Sequence, residues 1–152
     1  MKTNRVFLFF ILLLTVISCD VMQDYSINGV NIDHTFGSMS EAWEWTANNI
    51  QYEVYNYWPR PERVYNGRKG DCQGYSVLLG YFLTKLGYEV EFIVFDLNKY
   101  YGIPSSGILH VGLLIKDTGQ IIEPQISYYV FDTSRISVIA RYDMRTILSM
   151  GR

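Results

Sequence analysis

The stretch Gly70-Asp71-Cys72-Gln73-Gly74-Tyr75-Ser76, continued by Val77 to Leu86, decides how the chain reads. Tyr75, Leu78, Leu79, Phe82 and Leu86 recur at i, i+3, i+4, i+7 and i+11, the spacing of one apolar helix face, and Gly87 stands where a helix stops. The Gly-Asp loop ahead of that pattern puts Cys72 in the first helical turn. Unpaired N–H groups and the positive end of the helix dipole favour a thiolate there over a thiol. Cys72 is therefore a candidate nucleophile, with a buried structural cysteine as the other reading.

Downstream, the apolar period changes from helical to two, in Tyr88 to Leu97 and again in Ile108 to Lys116. Asn98 to Gly107, rich in Gly, Pro and Ser, reads as a long exposed loop between two strands. Asp117-Thr118-Gly119 is a turn, so Ile108 to Lys116 and Gln120 to Glu123 form an antiparallel hairpin. Further β-like segments lie at Tyr128 to Phe131 and Ile136 to Tyr142, before a short last helix through Ile147 and Leu148. Upstream, Ser38-Met39-Ser40-Glu41 has capping-box spacing and opens a helix with Met39, Ala42, Trp43, Thr46, Ala47 and Ile50 on one face. The aromatic segment Gln51 to Trp58 follows, closed by Pro59 and Pro61, and a short helix over residues 61–65 is stopped by Gly67. The expected class is α+β, with Cys72 at the start of a central helix packed on an antiparallel sheet.

His110 opens the strand Leu109 to Ile115, and alternation places it on one face with Gly112, whose lack of a side chain leaves room beside the ring. A thiol at a helix start and an imidazole on a neighbouring strand supply nucleophile and base, and a third polar group can hold the ring. Glu123, at the end of an apolar strand and fixed by Pro124, is placed to receive the Nδ1–H of His110. Gln125 is the alternative partner. His34, in a polar segment, reads as a solvated surface residue.

Taken in order, these parts resemble the transglutaminase-like superfamily of papain-related folds, which includes bacterial transglutaminase-like cysteine peptidases. The resemblance runs from about Glu41 to Gln125. It rests on Ile50-Gln51-Tyr52 at the end of a helix, Gly70 to Ser76, Leu86-Gly87-Tyr88-Glu89-Val90, His110 on a strand, and an acid before proline. It implies a catalytic triad of Cys72, His110 and Glu123. Glu123 stands where the family usually has Asp, and the hairpin from His110 to Glu123 is about two residues shorter than is common in the family. An oxyanion site of backbone N–H at the cysteine plus an upstream side chain is also implied. Tyr52 is the first choice for that side chain, ahead of Gln51 and Trp58.

The 152 residues suit one domain, and 49% hydrophobic with 18% charged residues suits a globular core. Lys2 and Arg5 precede the apolar run Val6 to Ile17, which has signal-peptide length and is too short to span a bilayer. Val16-Ile17-Ser18-Cys19 resembles the lipobox of bacterial lipoproteins, which implies lipid on Cys19. The expected organisation is a signal peptide at 1–18, a lipidated N-terminus and tether at 19–37, and a transglutaminase-like domain at 38–152. Such a protein is exported and lipid-anchored to a bacterial membrane, facing the periplasm or the cell exterior. Loss of Lys2 and Arg5 takes the formal net charge from −2 to −4, which leaves no basic footprint for nucleic acid. With only two cysteines in the chain, lipid on Cys19 leaves Cys72 unpaired in an oxidising compartment; a Cys19–Cys72 disulfide is the competing arrangement.

The resulting expectation is acyl transfer on peptide or side-chain amides, as a cysteine peptidase, amidase or transamidase. Its partners are a membrane and a protein, peptide or peptidoglycan substrate. No cofactor is called for, and Cys72, His110 and His34 do not make a metal-ligand set at a usual spacing. The alternative is a catalytically silent lipoprotein that binds peptide or glycan through tyrosine-rich loops, Tyr100 and Tyr101 among them.

Overall fold

The protein is seen as a computed structural model that describes residues 27, 29–104 and 107–152. The signal and lipidation segments, with Cys19, lie outside the described residues. The chain is α+β, as its periodicities require. Helix α1 (Met39–Asn49) leads into β1 (Gln51–Tyr52), then α2 (Pro61–Gly67), β2 (Lys69–Gly70) and the long helix α3 (Cys72–Lys85). After it come β3 (Val90–Asp96), α4 (Leu97–Tyr101), β4 (Leu109–Ile115), β5 (Gln120–Ile122), β6 (Val130–Phe131), β7 (Val138–Asp143) and α5 (Met144–Met150). Five strands form one sheet in the order β6-β5-β4-β3-β7, with every neighbouring pair antiparallel. The strands β1 and β2 pair separately and in parallel, Tyr52 opposite Gly70.

Helix α3 is the axis of the domain. Val77, Leu78, Leu79, Tyr81, Phe82 and Leu83 are all buried, so the helix is apolar on most of its circumference and is covered on several sides. It packs against β3 and β4 on one side and against α1, α2 and α5 on the others. Its far end closes at Gly87, whose φ of +89° lets the Gly87 and Tyr88 N–H groups turn back to the carbonyls of Thr84 (3.0 Å) and Leu83 (2.9 Å). Pro61 opens α2, where its missing N–H costs nothing. In α1 the Ser38 hydroxyl accepts from the Glu41 N–H at 3.2 Å, while the Glu41 carboxylate reaches back to the Gly37 N–H at 2.8 Å. The capping box is thus closed one residue earlier than its spacing suggests.

The strands β3, β4 and β5 are buried on both faces. Val90, Phe92, Val94, Val111, Leu113 and Ile115 face α3, while Ile93, Phe95, Ile121 and Phe131 build a second, smaller core on the reverse side. That reverse core corrects the reading of Asn98 to Gly107 as an exposed loop. Its first residues belong to α4, capped by Asp96, whose carboxylate accepts from the Asn98 and Lys99 N–H groups at 3.0 and 3.2 Å. Tyr100 is carried inward against Phe95 and Phe131, and its hydroxyl accepts from the Asp132 N–H at 3.0 Å. It is a core residue rather than a ligand platform; Tyr101 is the exposed one.

The described end of the expected tether also packs on the domain. Ile32 is buried, and Val30 and Phe36 lie against the main core. His34 is half-buried rather than a free surface residue: its ring stacks on Phe36 at 4.4 Å, meets Trp45 edge-on at 4.9 Å, and its Nδ1 lies 3.3 Å from the Tyr65 hydroxyl. Three aromatic neighbours outweigh the polar composition of the segment around it.

Leu79 of α3 lies fully buried in the main core. Leu79→Ala is expected to lower the unfolding free energy by about 2–5 kcal/mol, read from the urea midpoint at constant m-value.

Candidate active site

The start of α3 is built around the carboxylate of Asp71, its N-cap. One oxygen accepts from the Gln73 and Gly74 N–H groups at 3.1 Å each, and the other accepts from the Tyr55 N–H at 3.0 Å. The Tyr75 N–H is taken by the Asp71 carbonyl at 2.9 Å. The donors of residues 73, 74 and 75 are therefore all occupied, and the N–H of Cys72 is left with no acceptor among the described residues. Tyr55 brings the segment from Gln51 with it: the Glu53 N–H bonds the Gly70 carbonyl at 3.0 Å, so residues 52–55 run beside Gly70 and Asp71.

Gly70 has a steric reason. A Cβ there would come within 3.1 Å of the Gly74 Cα and 3.3 Å of its carbonyl carbon, so a side chain would crowd the backbone of the helix start. Cys72 itself is half-buried and carries a free thiol.

His110 reaches the same place from β4. The Ser76 hydroxyl, one turn into α3, donates to the Val111 carbonyl at 3.2 Å and ties the helix start to the strand next to the histidine. His110 is only 7% exposed and stands opposite Phe95 in the ladder. Phe95 and Phe131 meet its ring edge-on at 5.5 and 5.9 Å. Its Nε2 lies 2.5 Å from Glu123 Oε2, and Cys72 is near enough for its thiol to raise the His110 pKa. With Nε2 held by the carboxylate, Nδ1 is the ring nitrogen that Glu123 leaves open. This corrects the expectation that Glu123 takes the Nδ1–H; the two ring nitrogens are exchanged.

Glu123 is 5% exposed and firmly held. Its Oε1 accepts from the Gln125 N–H at 3.0 Å, its own N–H donates to the Tyr129 carbonyl at 2.9 Å, and its carbonyl accepts from Trp43 Nε1–H of α1 at 2.7 Å. Gln125 thus acts on Glu123 through its backbone and is not a partner of His110. Trp43 escaped the sequence reading because its position on the apolar face of α1 explained it fully as core. The last ladder pair of β4 and β5 is Leu113 with Ile122, so one further step sets Glu123 across from Gly112. A Cβ on Gly112 would meet Ile121 Cγ2 at 2.8 Å and the Ile122 carbonyl at 3.2 Å. The room that glycine leaves is used by β5 and Phe131, beside the histidine.

Burial pulls the His110 pKa down, but hydrogen bonds to Cys72 and Glu123, and the charge of each, outweigh it and raise the value from 6.5 to about 9. Tyr52 is 63% exposed, and its hydroxyl is pushed up by desolvation first and then by the charges of Cys72 and Asp71, which sets it on the Cys72 side of the β1–β2 ladder. Gln51 is engaged by its N–H to the Arg68 carbonyl at 2.8 Å, and Trp58 packs away from the site on Phe92 and Tyr142. The arrangement can hold a protonated imidazole between a thiol and a buried carboxylate, with a vacant backbone donor at the thiol.

No family model and no curated protein matches the chain. Among solved structures it is similar to a protein from Cytophaga hutchinsonii provisionally named a cysteine protease, at 15% identity and a TM-score of 0.50. The match covers 68% of this chain and 35% of that one, so the chain spans about a third of the neighbour's length. At that identity the likeness is one of fold, that of a cysteine-protease-like α+β domain.

Because the folded pKa of His110 lies above the ordinary value, the ion pair contributes its full stability below about pH 6.5 and loses it as pH rises through about 9. In Glu123→Gln the imidazole nitrogen shift is expected to titrate at lower pH, and the fall in urea midpoint between pH 6.5 and 9.5 should flatten. Gly112→Ala is expected to cost about 1–3 kcal/mol by overpacking against β5, in the same urea experiment.

Proposed function

We propose that the chain is a thiol-dependent acyl-transfer enzyme acting on peptide or side-chain amides, with Cys72 as nucleophile, His110 as acid and base, and Glu123 as the group that holds the imidazole. The observation that carries this reading is the buried His110–Glu123 pair at 2.5 Å with the thiol of a helix start as the ring's other neighbour. A buried ion pair is a costly way to fix a strand end, and it suits a site that must keep an imidazolium protonated at neutral pH.

In the proposed reaction the Cys72 thiolate attacks the amide carbonyl carbon, forming a C–S bond as the carbonyl electron pair moves to oxygen. The Cys72 N–H and the Tyr52 hydroxyl are the donors for that oxyanion. As the tetrahedral state collapses, the C–N bond breaks and His110 gives its Nδ1 proton to the departing amine, leaving a thioester. His110, now neutral, takes a proton from water, which attacks the thioester, expels the thiolate and releases the acid. A lysine amine in place of water gives transamidation; hydrolysis is the reading preferred for so short a chain.

The reading extends to location. Residues 1–18 are proposed as an export signal and Cys19 as the lipidated anchor, which keeps the domain at a bacterial membrane face. Substrates there are envelope proteins or peptidoglycan stem peptides. Ile27, Val30, Ile32 and Phe36 pack on the domain, so the described end of the proposed tether is bound to it.

The test is alkylation of Cys72 by iodoacetamide in the full chain, followed at that residue by peptide mass analysis from pH 5.5 to 9.5. Rapid alkylation near pH 6, where a free thiol is almost wholly protonated, is expected, with a loss of tenfold or more in His110→Ala. Slow alkylation at pH 6 in both proteins removes the nucleophile and with it the proposal. On a cleaved peptide, His110→Ala and Cys72→Ser are each expected to lower kcat/KM by at least about 10²-fold.

A further inference from the structure

Six of the twelve large apolar side chains exposed among the described residues lie close in sequence or pairing to the site residues. Tyr52 and Val54 lie beside Gly70 and Asp71, Ile108 and Leu109 immediately precede His110, and Ile126 and Tyr128 follow Glu123 within five residues. All six are more than half exposed. Each of the three segments that deliver a site residue therefore carries two large apolar groups out into solvent. Leu109 is telling: Val111, Leu113 and Ile115 of its strand face α3, and alternation puts Leu109 on that same face. There it lies one step beyond the strand's contact with Ser76, on the side toward Cys72.

Tyr128 supplies an independent observation. Its φ is +64°, a left-handed conformation that a bulky aromatic residue rarely adopts. It is nevertheless held there by its hydroxyl donating to Glu44 Oε2 at 3.0 Å and by its ring lying 5.8 Å from Trp43, the residue that bonds the Glu123 carbonyl. Backbone strain kept in order to present an exposed aromatic ring is a feature of ligand clamps. The charges nearby are already engaged: Glu53 with Lys69 at 2.6 Å, and Glu44 with Tyr128.

We infer that the acyl donor is an extended polypeptide segment with bulky apolar or aromatic side chains on either side of the scissile amide, and not a carboxylate-rich stem peptide. The inference rests on the acyl-transfer reading of Cys72 and His110. An extended segment laid across Cys72 covers the apolar groups of all three walls at once, whereas a chain of short acidic residues desolvates its carboxylates against them, with Lys69 of the β1–β2 ladder already paired to Glu53.

The test uses two thiol-directed peptidyl acyloxymethyl ketones, one with Leu-Phe and one with Ala-Glu before the ketone. In each the thiolate forms the C–S bond and a carboxylate leaves. The full chain in detergent is labelled with both under the same conditions and Cys72 modification is followed by mass. Leu-Phe is expected to label at least tenfold faster than Ala-Glu. That ratio should fall several-fold in Leu109→Ser and in Tyr128→Gly, the latter with an unchanged or raised Tm because glycine relieves the left-handed backbone. Ile139→Ser, which removes an exposed apolar group from the edge strand β7, should leave the ratio unchanged. Equal labelling by the two reagents, or a ratio that ignores both rim substitutions, overturns the inference and leaves the rim to a membrane surface or a second copy of the chain. The iodoacetamide pH profile of the unmutated chain separates the two failures: if it holds while the ratio is unity, only the substrate class is wrong.

Discussion

The carboxylate of Asp71 is the constraint from which the rest of the site follows. It is a buried anion with three backbone N–H donors, two from the first turn of α3 and one from Tyr55. Those bonds do two things at once. They start the central helix at Cys72 and no earlier, and they pull the strand segment at residues 52–55 alongside the thiol. Without them the helix keeps its apolar stripe and its place on the sheet, but its first turn frays and the thiol loses the wall formed by residues 52–55.

The same cap settles an electrostatic difficulty. A thiolate at residue 72 has Asp71 as its neighbour in sequence, and like charges so close oppose each other. Asp71 spends its two oxygens on N–H groups at 3.0–3.1 Å, so much of its charge is answered locally. The dipole of a 14-residue helix still acts on the sulfur. The decisive cation is the imidazolium, whose proton is kept by Glu123 from the opposite side.

Helix α3, the hairpin of β4 and β5, and the pairing of His110 with Glu123 were legible because each rests on local rules: a 3.6 period, a turn at Asp117 to Gly119, and strand alternation. The features that were not legible are tertiary. Asn98 to Tyr101 look like loop until Phe95 and Phe131 give Tyr100 a core to enter. His34 looks solvated until Phe36, Trp45 and Tyr65 surround it. The ring nitrogen that faces Glu123 depends on how the strand is rotated relative to α3, which no spacing encodes. Trp43 carried a helical-face signal that its indole N–H then exceeds.

Glutamate at position 123 is best understood through the register. With Leu113 opposite Ile122, the acid falls across from Gly112 and two residues along β4 from the histidine it must reach. A shorter acid at that position would need the strand end to move toward β4, against the Ile122 carbonyl and the Trp43 bond that hold it. The extra methylene crosses that distance without moving the backbone, and the Gln125 N–H fixes the second oxygen so that the longer side chain does not wander. The reach of the glutamate side chain therefore suits this register, and the 2.5 Å contact with Nε2 is the result.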